Sequence, residues 1–309
     1  MKGIELAKEF FNQYGKALLK DFSQYKDRIA VGLCGEGSEC FGYDDQFSND
    51  HDFEAGFCLW ITQKDYDEYG FKLERAYAKL PKDFMGYKRP ILSPVGGNRH
   101  GVIVIEEFYQ KFLGVTSIPE DNSWWFYVPS TSLATVTNGQ VFVDNLGEFS
   151  KIRNQLLNGY PQDIRLKKLA SHLVLAGQSG QYNYSRCIMH NEFGAGSLAT
   201  FEFVKHIISI IYLINNKYEP FYKWAFRGMK DLTLLSHLSP LLEKLLDMPN
   251  DKKEEKLLSI EKISACIISQ LKTEGITKAT CLNLETHAYS LTDFIADANI
   301  RNMHIMEGI

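Results

Sequence analysis

Ile29-Ala30-Val31-Gly32-Leu33-Cys34-Gly35-Glu36-Gly37-Ser38 is the stretch on which the reading of this chain turns. Its six apolar or small residues read as a buried strand. Gly35 to Ser38 then break the pattern. Glycine lets a backbone approach a ligand closely, and successive free N–H groups can cradle a phosphate. The Ser38 hydroxyl adds one donor, and a short helix starting there would turn its positive end to an anion. Eleven intervening residues lead to Asp50-His51-Asp52-Phe53, the start of a second strand expected over Phe53 to Ile61. Alternate residues on a strand face the same way, about 6.6 Å apart along it, so Asp50 and Asp52 share a face and His51 takes the other. Two hard carboxylates so placed suit Mg²⁺ or Mn²⁺ rather than zinc. A phosphate cradle beside such a pair is what metal-assisted phosphoryl or nucleotidyl transfer needs. A plain loop and a solvated turn are the competing reading. The ordered succession of strand, Gly-Ser, spacer and second strand disfavours it.

Outward from this stretch, helical spacing of Leu6, Phe10, Phe11, Tyr14, Leu18 and Leu19 predicts a helix over 4–22. Thr62 with Asp65 three residues on resembles a capping box and opens a helix to about Leu80, which Pro81 ends. Residues 82–101 read as a loop, 102–105 as a strand, 106–113 as a short helix and 141–144 as a strand. From residue 146 onward the periodicity is helical, with segments near 146–158, 162–178, 184–215, 219–230, 231–247, 254–273 and 285–305. The fold class expected is α+β: a mixed-sheet domain over 1–145 followed by an all-helical domain over 146–309.

The composition bounds the function. The chain has 309 residues, a formal charge of −4 and 45% hydrophobic residues, as expected of a packed globular protein. Mild acidity argues against an extended nucleic-acid track but not against a small anion at a local site. No run of about 18 apolar residues is present, so no membrane span is expected. The start, Met1-Lys2-Gly3-Ile4-Glu5, lacks the apolar core of a signal peptide. Six scattered cysteines without a Cys-x-x-Cys pair predict buried thiols in a reducing compartment, the cytoplasm.

The residues Gly37-Ser38, the spacer and Asp50-x-Asp52 before an apolar strand resemble the signature of the nucleotidyltransferase superfamily, which includes DNA polymerase β and kanamycin nucleotidyltransferase. The longer string, Gly37-Ser38-Glu39 with Phe41-Gly42-Tyr43-Asp44-Asp45 and Ser48 with Asp50-His51-Asp52-Phe53, resembles a bacterial domain-of-unknown-function family with such a domain in its N-terminal half. Gly139-x-Val141-Phe142-x-Asp144, Gln181-Tyr182-Asn183 with Arg186, and Tyr218-x-Pro220-x-Tyr222-Lys223-Trp224 extend the likeness over roughly 28–235. The resemblance implies an enzyme that binds a nucleoside triphosphate and Mg²⁺ (or Mn²⁺) through Gly37, Ser38, Asp50 and Asp52. It would move a nucleoside monophosphate to an acceptor hydroxyl or phosphate, a small molecule being the first choice.

The superfamily usually carries a third carboxylate. Chain order favours Glu106, with Glu107, Glu54 and Asp144 as alternatives. Arg99, His100, Arg186 and Lys223 are candidates to hold the triphosphate or acceptor, against ion pairing for Arg186 and snorkelling for Lys223. Tyr222 and Trp224 read as core packing rather than base stacking. The absence of a certain third acid leaves open a nucleotide-binding pseudoenzyme or sensing module. A toxin–antitoxin type nucleotidyltransferase acting on a protein or RNA is also open, and calls for exposed apolar surface on the helical half. The displaced third glycine excludes a dinucleotide fingerprint, and no Lys-Ser/Thr follows to make a P-loop. A His-Asp phosphohydrolase would need further His on helices, and a serine hydrolase Gly-x-Ser-x-Gly.

Overall fold

The computed structural model describes residues 1–48, 55–88 and 99–309. Helices α1 (Gly3–Phe10) and α2 (Lys16–Asp21), joined by a wider helical turn over Phe11–Gly15, lead to strand β1 (Ala30–Leu33). Then come α3 (Ser38–Phe41), β2 (Cys58–Ile61), α4 (Gln63–Asp65) and α5 (Phe71–Ala78). Strands β3 (Asp83–Phe84), β4 (Tyr87–Lys88) and β5 (Gly101–Val104) precede α6 (Ile105–Leu113), α7 (Trp124–Tyr127), α8 (Ser130–Thr137), β6 (Gln140–Val143) and α9 (Glu148–Leu157). The rest is helical: α10 (Gln162–Ala176), α11 (Tyr184–Met189), α12 (Phe193–Ile214), α13 (Tyr222–Met229), α14 (Ser239–Asp247), α15 (Lys253–Thr273), α16 (Leu284–Thr292) and α17 (Ala298–Asn302). The class is α+β. By its contacts the chain divides into one unit of Met1–Glu120 with Val128–Asn158 and another of Asp121–Tyr127 with Gly159–Ile309. Helix α9 belongs to the first unit, although it follows residue 146, where the sequence changes character.

In the first unit a four-stranded sheet runs β5-β2-β1-β6. β1 is antiparallel to both neighbours, and β2 is parallel to β5. Strand alternation buries both faces. Val31, Phe57, Leu59 and Ile61 join Phe10, Phe11, Leu73 and Tyr77 from α1, α5 and the wide turn. On the other face Trp60 stacks on Phe149 of α9 at 4.0 Å between ring centroids and meets Phe108 of α6 edge-on. Such two-sided burial explains why β1 and β2 read as short unbroken apolar runs. The register of β1 on β6 shifts between Val31 and Gly32. A Cβ at Gly32 would lie 2.3 Å from the Gln140 carbonyl oxygen, so only glycine fits there.

The Thr62 cap forms, with the Asp65 N–H donating to Thr62 Oγ1 at 3.2 Å. Its reciprocal half does not, because the Asp65 carboxylate pairs instead with the Arg28 guanidinium. Five expectations need correction. The second strand, expected from Phe53, begins at Cys58 among the described residues. Residues 82–101 are not all loop: Asp83–Phe84 and Tyr87–Lys88 pair as a hairpin about Met85 and Gly86, both at positive φ. The helix expected over 184–215 breaks at His190–Glu192, where Asn191 takes a φ of 59°. Only Ser239–Asp247 of the 231–247 segment is α-helical, and the 285–305 segment is two helices, α16 and α17.

In the second unit α10 packs on α12, α16 and the turn Ile305–Gly308. Helix α12 has 22 residues and an 18-residue window of mean hydropathy 1.5, long and apolar enough to cross a membrane, but 67% of that window is buried inside the protein. Lys167 and Lys168 of α10 are buried, with their ammonium groups on main-chain carbonyls of residues 126, 301, 303 and 308. Across the α10–α12 contact His172 Nδ1 and His206 Nδ1 lie 3.0 Å apart, so one ring must donate and the other accept. Burial, with Lys205 nearby, lowers His206 to about 4 against the partial counter-effect of Glu202.

Trp60→Ala should cost about 3–5 kcal/mol by denaturant titration, because a fully buried ring stacked on Phe149 leaves a cavity. A His whose folded pKa is depressed contributes stability above its unfolded value, and loses it as pH falls from 6.5 toward 4. Stability measured across that window should fall, and His206→Gln should flatten the slope.

Candidate functional site

The sheet topology decides where the sequence motif lands. Gly32 pairs with Cys58, and Cys58 with Gly101, while Leu33 pairs with Gln140. The end of β1 and the starts of β2, β5 and β6 therefore share one edge. The Gly35–Ser38 turn, Ala55–Phe57, Arg99–His100 and Asn138–Gly139 all lie there.

Local chemistry shapes the turn. The Gly35 N–H donates to Asn138 Oδ1 at 2.9 Å, and Asn138 Nδ2 donates to the Gly35 carbonyl at 2.7 Å. Gly35 and Gly37 have φ of 129° and 117°, a region L side chains rarely enter. A Cβ on Gly37 would also come 2.2 Å from Glu39 Oε1. Ser38 starts the single turn α3, which Gly42 closes at φ 71°. Beneath Gly37 lies Glu39, a buried carboxyl. Burial holds it above the ordinary carboxylate range, against the opposing pull of a backbone hydrogen bond and of His100 and Arg99. The His100 ring is itself buried and packs over Gly56, where a Cβ would come within 2.8 Å of it.

Behind this edge Arg153 of α9 is buried. Its guanidinium donates to the Val136 carbonyl at 3.0 Å, to the Gly139 carbonyl at 3.3 Å and to Cys34 Sγ at 3.4 Å. Burial outweighs that cation and pushes the Cys34 thiol up to about 12, so the sulfur stays protonated.

Gly37, Ser38, Arg99 and His100 thus come together. Asp50 and Asp52, with Glu54, lie outside the described residues. Chain connectivity alone relates them to Ala55. Glu106 does not join the group. It begins α6 at the far end of β5, about 10 Å of strand from Gly101 at 3.3 Å per residue. There its Oε2 accepts from the Gln63 N–H at 3.0 Å. Glu107 is exposed on the same turn of α6. Asp144 ends β6 and accepts from the N–H groups of Gly147 and Ser150 at the start of α9. Asp44, part of the local carboxylate excess, is buried and accepts from the Gly3 N–H at 2.9 Å.

Arg186 and Lys223 belong to the second unit, each over a neighbouring ring: Tyr182 at 5.2 Å and Trp224 at 4.5 Å. Tyr222 departs from the core role expected of it. It is 76% exposed and touches Phe221. Gln181, from the same string, ties its turn to Glu261 and to the main chain at Leu282 and Leu284. Sequence reasoning missed Asn138 and Arg153 as partners of the turn. Asn138-Gly139 signals only a helix end, and a buried arginine inside a helix carries no local mark.

A family model described as a domain of unknown function (DUF4037) matches residues 125–225, a segment that does not reach the Gly37-Ser38 turn. A crystal structure of a nucleotidyltransferase-like protein from Exiguobacterium sibiricum is 10% identical, with 91% of this chain and 89% of that one covered and a TM-score of 0.37. No curated protein matches the chain.

Ionising Glu39 opposes folding. The stability its protonated form gives is complete below about pH 4.5 and is lost as pH rises through the raised folded value. Glu39→Gln should be more stable than the parent at pH 7 in a urea titration, with the difference closing near the ordinary carboxylate pKa. A loss at pH 7 that shrinks near pH 4.5 would instead show that the site holds the charged form.

Proposed function

We propose that the first unit binds a nucleoside triphosphate and, with Mg²⁺ or Mn²⁺, transfers its nucleoside monophosphate to a hydroxyl or phosphate of a small acceptor. The observation that carries this reading is the shared sheet edge. The Gly37-Ser38 turn after β1, Arg99 before β5 and Ala55, to which Asp50-His51-Asp52 leads, all fall there. Gly37 lets the turn take its positive φ, and the Ser38 hydroxyl supplies a donor. Arg99 offsets phosphate charge. Asp50 and Asp52 offer hard oxygen ligands in the pattern that suits the metal. The bound cation would neutralise the triphosphate and the departing pyrophosphate. In the transfer, the acceptor oxygen bonds to the α-phosphorus, the α–β bridging P–O bond breaks, and pyrophosphate leaves with that electron pair. A reducing cytoplasm fits the free cysteines, of which Cys34, Cys40 and Cys58 are buried.

A second reading is a nucleotide-binding module without transfer. The engagement of Glu106 and Asp144 with main-chain N–H groups away from this edge favours it. Exposed Met189, Phe193, Leu198 and Phe201 on α11 and α12 suit the variant of the enzyme reading in which a protein is the acceptor.

A thermal-shift titration with ATP, GTP, CTP and UTP in Mg²⁺ tests binding, since a ligand of the native state alone raises its stability by about 2.7 kcal/mol at a hundredfold excess over Kd. Asp50→Asn should abolish the Mg²⁺-dependent shift without lowering the unliganded Tm. Pyrophosphate release then separates the two readings. A shift without release supports the binding module, and no shift with any triphosphate overturns both.

A further inference from the structure

At the other end of β1, away from the Gly35–Ser38 edge, a cavity of about 340 Å³ opens between α2 and the end of β6. Its floor is apolar: Phe11 from the wide turn, Leu19 from α2 and Val143 from β6. Lys16, Lys20 and Lys26 also line it. The acid among its lining residues is Asp27, whose Oδ1 already accepts from Asn145 Nδ2 at 2.6 Å. Among the described residues, none of the three lysines has an ion-pair partner.

Charge and shape point the same way. Lys16 and Lys20 stand four residues apart on one face of α2, a like-charge spacing that works against the helix. In a chain of net charge −4, this groove gathers three cations against one acid. An anion seated among them would relieve the repulsion. The apolar floor asks that the anion carry an apolar body, and the volume lies at the lower end of small-molecule pockets.

We propose that this groove binds a small amphiphilic anion, a carboxylate or phosphate monoester on a short apolar body, with the head at Lys16, Lys20 and Lys26 and the body on Phe11, Leu19 and Val143. The site lies at the opposite end of β1 from the turn assigned to triphosphate and does not depend on that assignment.

Calorimetric titration of the full chain tests it, with octanoate and octyl phosphate as probes and inorganic phosphate and octylammonium as controls. Saturable one-to-one binding of an octyl anion is expected, with its affinity falling as salt screens the lysines. The double reversal Lys16→Glu/Lys20→Glu should weaken it by about tenfold or more while the Tm stays within a few degrees. The stronger of the two octyl anions identifies the head group. Four results would each overturn the proposal: no saturation with either octyl anion, equal affinity in the reversed variant, octylammonium binding as well as octanoate, or inorganic phosphate binding as well as octyl phosphate.

Discussion

The candidate edge depends on one buried guanidinium. Arg153 reaches from α9 to the Val136 and Gly139 carbonyls and to Cys34 Sγ, so it joins the end of α8, the entry to β6 and the exit from β1. Carbonyls at a helix end have no partner within the helix, and burying them unsatisfied is costly. Arg153 satisfies one at Val136, and the adjacent Asn138 closes two hydrogen bonds on Gly35. The turn is therefore held at Gly35 through its backbone, while the Glu36 carboxylate pairs with Lys111.

That arrangement leaves the turn open where a ligand would need it. Gly35 is clamped at both of its main-chain polar groups, whereas the Ser38 hydroxyl has no hydrogen-bond partner among the described residues. Glu39 fills the space below Gly37, and burial keeps its carboxyl protonated beyond the ordinary range. Arg99, two residues before β5, adds positive charge at the same edge.

Much of this was legible locally. The buried strands β1 and β2, the Thr62 cap, α6 and β6 followed from apolar runs, a capping residue and glycine or proline punctuation. The elements that were misread share a cause. The hairpin at 83–88 is only two residues per strand, too short to show alternation. The break at Asn191 depends on a positive φ that asparagine tolerates but does not announce. Glu106 follows a strand in the chain, and chain order alone does not place it. Which end of the sheet that strand points to is set by its parallel pairing with β2.

The sequence by itself determined the alternation of short buried strands with amphipathic helices, the helical second half and the Gly-Ser…Asp-x-Asp string, because each is written in side chains only a few positions apart. Only the tertiary structure decided strand direction and register. It thereby decided that Arg99 and Asn138 stand beside Gly37 while Glu106 and Asp144 do not. Those relations rest on hydrogen bonds between segments tens of residues apart. No local periodicity encodes them.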